Sequence, residues 1–140
     1  MKRLENKVVI ITGAAMGMGM DTAKLFAEEG AKVVVADFNE EAGNAVVKEI
    51  IASGGTATFC KVDISDATQV EAMVKFAVST YGRLDCAVNN AAMKPDNNSF
   101  EDLDEEYWDR HKNSLEILLI ERRIIEGILV TPVPTEPTEY

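Results

Sequence analysis

The sequence predicts an α/β protein, a doubly wound parallel sheet with helices on both faces. Three observations support this prediction. Short β-branched runs alternate with longer helical patterns over residues 1 to about 92. The first two runs are almost continuously apolar, which is typical of strands that are buried on both sides. Glycines follow the helical patterns, where helices commonly end. The order βαβαβαβ with right-handed crossovers then gives the sheet.

The four predicted strands and three predicted helices follow from these patterns in order along the chain. The strands are residues 7–12, 32–37, 57–62 and 84–89, and the helices are residues 18–29, 40–53 and 66–81. Helical spacing predicts which side chains face the sheet. They are Ala23, Phe26 and Ala27 in the first helix, Ala42, Ala45, Val46, Ile50 and Ile51 in the second, and Val70, Met73, Val74, Ala77 and Val78 in the third.

The composition and the pattern of the sequence change after residue 92. Residues 96–109 carry seven acidic side chains, and the pattern Asn113–Glu116 resembles a capping box that opens a helix ending at Gly127. Three prolines in the last nine residues predict an extended tail. With only four strands, the run 84–89 is expected to be an exposed apolar edge and an aggregation risk, unless the helix at 113–126 covers it or pairs with a copy of itself.

Composition excludes several classes of protein. The chain of 140 residues has 24 acidic and 14 basic side chains, a net charge of −10, which disfavours nucleic acids and anionic membranes as partners. We expect no membrane span, since there is no run of about 18 apolar residues, and no signal peptide. Two cysteines without a CxxC pattern and a single histidine predict neither a disulfide framework nor a metal site, and they favour a reducing cytoplasmic location. Cys86, in the middle of a predicted strand, is expected in the core.

The most informative segment is Thr12–Gly19, which follows the first strand and opens the first helix. Gly13 permits the tight turn out of the strand, Gly17 lets a pyrophosphate approach the backbone, and Gly19 allows close packing of the helix. The helix N-terminus offers free N–H groups and a positive dipole to phosphates. By itself this pattern is also compatible with a simple strand-to-helix turn.

Asp37, at the end of the second strand, strengthens the nucleotide-binding interpretation. A carboxylate there can accept hydrogen bonds from both hydroxyls of an adenosine ribose and would repel a 2′-phosphate. No cation follows at Phe38, and Met16 rather than a cation precedes Gly17. These residues predict NAD rather than NADP as the cofactor. The alternative is that Asp37 caps the next helix, a role for which Asn39 competes.

The sequence resembles the short-chain dehydrogenase/reductase family over residues of about 5–110. The resemblance rests on Thr-Gly-x-x-x-Gly-x-Gly at 12–19, Asp63 after the third strand, and Asn89-Asn90-Ala91-Ala92 after the fourth. It implies the N-terminal half of a Rossmann-type fold, in which Asp63 bonds the adenine amino group and Ile64 supplies backbone contacts. Asn90 and Ala91 would border the cofactor, whereas Ala92 replaces the family's usual Gly. The predicted cofactor-binding residues are Gly13, Met16, Gly17, Met18, Gly19, Asp37, Phe38, Asp63, Ile64, Asn90, Ala91 and Ala92.

The methionines of the glycine loop depart from the family's usual residues. The family often has Ile at position 18, and Met is an apolar substitute for it. We expect Met16, Met18 and Met20 to serve packing more than recognition.

The family's catalytic pair is absent from this sequence. The resemblance implies a Tyr-x-x-x-Lys pattern, in which a lysine lowers the pKa of a tyrosine that exchanges a proton with the substrate alcohol. Tyr81 is followed four residues later by Asp85, Tyr107 by His111, and Tyr140 is the last residue. No catalytic residue is therefore predicted.

The predicted organisation is an NAD-binding Rossmann half-domain at 1–112, a divergent helix at 113–127 and a proline-rich extended tail at 128–140. The length of the chain is compatible with three origins: a truncated or frame-shifted reading of a full-length gene, a natural short form, or a deliberate fragment or fusion. Three functions stay open: the cofactor half of an alcohol dehydrogenase or ketone reductase for a small-molecule substrate, a nucleotide-binding module without turnover, or an unstable remnant. Homo-oligomer formation is also left open.

Overall fold

The computed structural model describes residues 2–91, which form four strands and three helices. The strands are β1 (Val8–Thr12), β2 (Lys32–Asp37), β3 (Thr56–Lys61) and β4 (Cys86–Val88), and the helices are α1 (Gly17–Glu28), α2 (Glu40–Ala52) and α3 (Ala67–Tyr81). The predicted order is confirmed, and each predicted boundary lies within about two residues of the observed one. The predicted helix 113–127, the predicted tail 128–140 and Ala92 lie outside the described residues.

The four strands form one parallel sheet in the order β3-β2-β1-β4. β1 pairs with β2 on one side and with β4 on the other, and all five of its residues are buried. The chain builds the sheet outward from β1 to β3 and then returns to the other side of β1 with β4. This reversal creates a crevice at the carboxyl ends of β1 and β4, where doubly wound folds bind ligands.

Alternate residues of the central strands face two separate hydrophobic cores. One core, here called the α1/α2 core, joins Val9, Ile11, Val33 and Val35 of the sheet to Ala23, Ala27, Val46 and Ile50 of the two helices. The other, the α3 core, joins Ile10, Val34, Ala36 and Val62 to Val70, Met73, Val74 and Ala77. Helices therefore cover both faces of the sheet, as the sequence predicts.

The predicted inward face of α2 is partly wrong. Ala45 and Ile51 are exposed, and the buried residues of the helix are Gly43, Val46 and Ile50. The reason is the Phe59 ring of β3, because a Cβ atom on Gly43 would lie 2.1 Å from its Cε2 atom. Gly43 thus admits the ring against the helix and turns Ala45 and Ile51 away from the sheet. In α3, Val78 is likewise exposed, while the other four predicted residues are buried.

The prediction that Cys86 is a core residue is also wrong. Cys86 is exposed, and it is the first residue of a strand only three residues long. Within residues 2–91, β4 pairs with β1 alone, so one of its edges has no described neighbour. Among the described strands, β1 has neighbours on both sides, whereas β4 has β1 alone. Cys60 and Cys86 are both free thiols.

Candidate functional site

A cleft of about 550 Å³ opens at the carboxyl ends of the strands. This volume lies within the usual range for small-molecule sites. Each of the four strands contributes residues from its C-terminal end or from the loop that follows it. The lining residues are Gly13, Met16, Met18, Ala36, Asp37, Phe38, Val62, Asp63, Ile64, Asn90 and Ala91. Nine of the twelve residues predicted from the sequence are therefore brought together here. Gly17 and Gly19 lie at the adjoining start of α1, and Ala92 is outside the described residues.

The glycine loop is shaped by two different steric requirements. Gly13 has a φ of +65°, and a Cβ atom on it would lie 2.9 Å from the Ala91 Cα atom. A Cβ atom on Gly19 would lie 2.2 Å from the Gly13 carbonyl oxygen and 2.5 Å from Asn90 Nδ2. The space that Gly19 leaves free is thus filled by the loop itself and by Asn90. Gly17 differs, since a Cβ atom there would meet nothing within 4 Å and its backbone borders open space.

The N-terminus of α1 has no side-chain cap, although α2 and α3 are both capped. The Asn39 side chain accepts a hydrogen bond from the Ala42 N–H, and the Asp66 side chain accepts from two N–H groups of α3. At Met16, the N-cap position of α1, no side chain of the described residues makes such a bond. The first N–H groups of a helix have no partner within it, and they attract anions. The uncapped end of α1 begins at the loop that lines the cleft.

Asp37 connects the glycine loop to the turn that follows β2. Its Oδ2 atom accepts a hydrogen bond from the Ala15 N–H at 3.0 Å, and its Oδ1 atom accepts one from the Asn39 N–H at 2.9 Å. A carboxylate offers about four acceptor positions, so each oxygen can accept one more hydrogen bond. Asn39 is the N-cap of α2, which decides between the two sequence interpretations of helix capping. The partly buried Asp37 carboxylate remains beside the cleft.

Asp63 presents one carboxylate oxygen to its own loop and keeps the other open. The Ser65 N–H and the Ser65 hydroxyl both donate to Oδ1, at 2.9 and 2.6 Å. The Gln69 side-chain oxygen accepts from the Asp63 N–H at 2.9 Å, which fixes the backbone at this point. Among the described residues, no donor is recorded for Oδ2 of Asp63. The neighbouring Ile64 also lines the cleft and packs against the α3 core.

The Thr12 hydroxyl organises the junction of β1 and β4. Thr12 is fully buried, and its Oγ1 atom accepts hydrogen bonds from the Asn90 and Ala91 N–H groups, both at 3.1 Å. The Asn90 side chain donates back to the carbonyl oxygens of Thr12 and Gly13 at 3.2 and 3.3 Å. Sequence reasoning did not assign this role to Thr12. The available signal was that Thr12 is the one polar residue of the otherwise apolar run in β1.

The prediction that the loop methionines serve packing holds for Met20 and is wrong for Met16 and Met18. Met20 packs against the α1/α2 core, but Met16 and Met18 are 57% and 80% exposed and line the cleft. Met16 is the N-cap of α1 and Met18 is the second residue of the helix, whose buried residues are Gly19, Ala23 and Ala27. Phe38 is also exposed and forms part of the same wall. Three apolar side chains thus surround the polar groups of the cleft.

A second cleft, of about 210 Å³, lies at the opposite edge of the sheet. It is bordered by the C-terminal parts of α1 and α2, and the Lys24 and Glu49 side chains at its border form an ion pair. Ligands of doubly wound folds bind at the carboxyl ends of the strands, which favours the first cleft as the functional site.

Within the described part of the chain, no group of three or more His, Cys, Asp or Glu side chains could hold a metal ion. Over the same residues, no helix is both long and apolar enough to cross a membrane.

The fold and the cleft define a Rossmann-type α/β domain. The family model described as short chain dehydrogenase matches residues 7–114. This match covers more than half of the sequence, so the chain belongs to the short-chain dehydrogenase family, as the motifs at its strand ends indicate.

Similar proteins include several dehydrogenases. The chain is 46% identical over 108 residues to a cyclohexanol dehydrogenase of Acinetobacter sp. (strain SE19), covering 77% of this chain and 43% of that protein. A solved structure of a short chain dehydrogenase from Mycobacterium avium matches with a TM-score of 0.81 and 32% identity, over 91% of this chain and 47% of that one. A hydroxysteroid dehydrogenase structure from Escherichia coli matches with a TM-score of 0.63 and 47% identity, over 64% of this chain and 38% of that one.

The chain spans less than half the length of these relatives. The family match over residues 7–114 contains the glycine loop and the four strand ends that form the cleft.

Proposed function

We propose that the cleft binds NAD(H) as the cofactor half of a short-chain alcohol dehydrogenase or ketone reductase. The observation that carries this proposal is the convergence of an uncapped helix N-terminus, an open glycine backbone and the Asp37 carboxylate in one cleft. The family membership and the dehydrogenases among the relatives support it. The free thiols of Cys60 and Cys86 support a reducing, cytoplasmic setting.

The described residues fit the adenosine end of the cofactor. Asp37 keeps one acceptor position on each oxygen, which suits the two hydroxyls of a ribose. Oδ2 of Asp63 is an acceptor suited to the adenine amino group, while Ile64 and Phe38 offer apolar surface. The negative charge of Asp37 disfavours a 2′-phosphate, so we expect NAD to bind more tightly than NADP.

The glycine loop fits the pyrophosphate. The backbone of Gly17 borders open space in which a phosphate could lie. Among the described residues, no side chain caps the first N–H groups of α1. These groups would donate to phosphate oxygens with the help of the helix dipole. Asn90 and Ala91 would border the nicotinamide end, where the bound cofactor supplies or accepts hydride.

We propose further that this chain of 140 residues binds the cofactor without turnover. None of its three tyrosines is followed by lysine at the fourth position. Without that pair, no side chain is assigned to exchange the proton of a substrate alcohol. A small-molecule alcohol or ketone would be the substrate of the full-length family member.

A titration of the purified chain with NADH and NADPH, followed by fluorescence, tests the binding proposal. We expect saturable NADH binding, weaker NADPH binding, and no oxidation of a panel of secondary alcohols when NAD+ is supplied as the hydride acceptor. Chemical unfolding of the same sample distinguishes a folded binding module from an unstable remnant. Absence of saturable binding in a cooperatively folding sample would refute the proposal, and turnover would refute its catalytic part.

The variant Asp37→Ala tests the contact with the ribose. We expect weaker NADH binding with a smaller effect on NADPH, since the ribose acceptors and the negative charge are both removed. Asp66→Asn is the matched control, because Asn also caps helices well and Asp66 does not line the cleft. An unchanged NADH affinity in Asp37→Ala would show that the ribose contact is wrong.

A further inference from the structure

The sheet brings a lysine next to Asp37 on the neighbouring strand. Lys61 is the last residue of β3, and in the parallel register of β2 and β3 it is the partner of Asp37. Paired residues of neighbouring strands project to the same face of a sheet. The sequence shows no cation next to Asp37 along the chain, but the tertiary structure supplies one from the adjacent strand.

The Lys61 ammonium is held by two neighbours at the rim of the cleft. Its Nζ atom lies 5.8 Å from the centroid of the Phe38 ring, which lines the cleft. It also lies 3.6 Å from Oε2 of Glu40, in the first turn of α2. The Lys61 and Glu40 side chains are 55% and 63% exposed, so both reach solvent beside Phe38 and Asp37, which line the cleft.

The charges at this rim affect how well the cation could bind a phosphate. Asp37, Glu40 and Lys61 carry two negative charges and one positive charge, and the ion pair of Lys61 is with Glu40. Removal of the Glu40 charge would leave the ammonium without this partner. The ammonium could then form a charge-assisted bond to a phosphate group.

We propose that Lys61 and Glu40 form a specificity pair, in which Glu40 occupies Lys61 and so lowers the affinity for a dinucleotide with a 2′-phosphate. This inference rests on the proposed function, because it assigns the adenosine ribose to Asp37. It goes beyond that function by naming two residues outside the predicted site that determine the choice between the two cofactors.

Four variants of the full chain test the pair: Glu40→Gln, Lys61→Met, the double variant, and Glu41→Gln as the matched control. Glu41 is the other acidic residue in the first turn of α2, so its replacement changes the charge near the helix dipole equally. NADH and NADPH affinities are measured by fluorescence titration at low ionic strength. Adenosine 2′,5′-bisphosphate and AMP serve as competitors that report on the adenosine end alone.

We expect Glu40→Gln to tighten NADPH binding about fivefold and to leave NADH binding within about twofold, as suits an exposed ion pair. The double variant should lose this gain, and Glu41→Gln should not show it. The gain should appear for adenosine 2′,5′-bisphosphate but not for AMP, and it should decrease with added salt.

The inference is overturned if the double variant keeps the gain in NADPH affinity, or if Glu40→Gln and Glu41→Gln behave alike. It is also overturned if Glu40→Gln changes the affinity for neither NADPH nor adenosine 2′,5′-bisphosphate. In these cases NADH binding by the unchanged protein still supports the proposed function. If the unchanged, folded protein binds neither dinucleotide, the proposed function fails and the inference fails with it.

Discussion

Thr12 shows how much of the cleft depends on a single buried side chain. Its hydroxyl accepts hydrogen bonds from the Asn90 and Ala91 N–H groups and donates to the Val88 carbonyl oxygen at 3.4 Å. These bonds hold the loop after β4 against the end of β1. A buried N–H group that loses its acceptor costs more than the hydrogen bond itself contributes. Thr12 therefore positions cleft residues without lining the cleft.

The substitution Thr12→Val should lower the free energy of unfolding by about 1–3 kcal/mol, because a nearly isosteric side chain leaves the Ala91 N–H without its acceptor. Urea unfolding measures this change, and NADH titration should show weaker binding. Thr12→Ser keeps the hydroxyl and is the control. If Thr12→Ser destabilises the protein as much as Thr12→Val, the hydroxyl is not the cause.

Contacts between elements decide how closely α2 and β3 approach each other. The Phe59 ring occupies the position where any residue other than glycine at position 43 would place its Cβ atom.

At the other side of the described sheet, the Asp85 side chain joins β4 to β1. Its Oδ2 atom accepts a hydrogen bond from the Val8 N–H at 2.9 Å, and its own N–H donates to the Val8 carbonyl oxygen.

The substitution Gly43→Ala should reduce stability by about 1–3 kcal/mol, because the added methyl group would overlap the Phe59 ring. The cost should fall when Phe59→Leu is introduced in the same chain. A double-mutant cycle by urea unfolding measures this coupling. Additive effects of the two changes would contradict the steric explanation.

The Asp85 contacts predict a dependence of stability on pH. Hydrogen bonds from the Arg83 guanidinium, and then from the Val8 N–H, hold the pKa of the Asp85 carboxyl below its usual value. The ionised form is therefore favoured in the folded protein. The resulting stabilisation is present above the unfolded pKa of about 3.9 and is lost as the pH falls through the lower folded value.

The substitution Asp85→Asn should lower the midpoint of urea unfolding at pH 7 and have less effect at pH 3. Urea unfolding at both pH values tests this expectation. Asp21→Asn, on the exposed side of α1, removes the same charge and is the control. An equal response of the two variants to pH would rule out the proposed role of the Asp85 hydrogen bonds.

For the whole described domain, the two cores lie on opposite faces of one sheet and share its backbone. Ile50 belongs to the α1/α2 core and Ile10 to the α3 core, and both are at most 3% exposed. Their side chains do not belong to the same cluster. Changes in the two cores should therefore destabilise the fold independently, while both affect the same unfolding transition.

The variants Ile50→Val and Ile10→Val should each reduce stability by about 0.5–1.5 kcal/mol. In the double variant the two losses should add to within about 0.5 kcal/mol. Ile11→Val with Ile50→Val, both in the α1/α2 core, is the comparison in which coupling is expected. Separate unfolding transitions for the two faces would contradict a single cooperative domain.

The sequence alone determined the order of the elements, the two-sided sheet, the glycine loop and the acidic residues at the strand ends. These features are local, because helical and strand periods, turn glycines and residues that follow an apolar run can be read from neighbouring positions. Nine predicted site residues line the cleft because parallel strands place their carboxyl ends at one edge.

Only the tertiary structure decided which distant residues meet. The register of β2 and β3 places Lys61 beside Asp37, and the pairing of β1 with β4 brings Thr12 to Asn90 and Ala91. The Phe59 ring packs against Gly43 on the buried face of α2, and Cys86 is exposed at the start of β4, whose one neighbour among residues 2–91 is β1. Each of these outcomes depends on strand order, register and packing between segments far apart in the chain, and local sequence patterns do not contain that information.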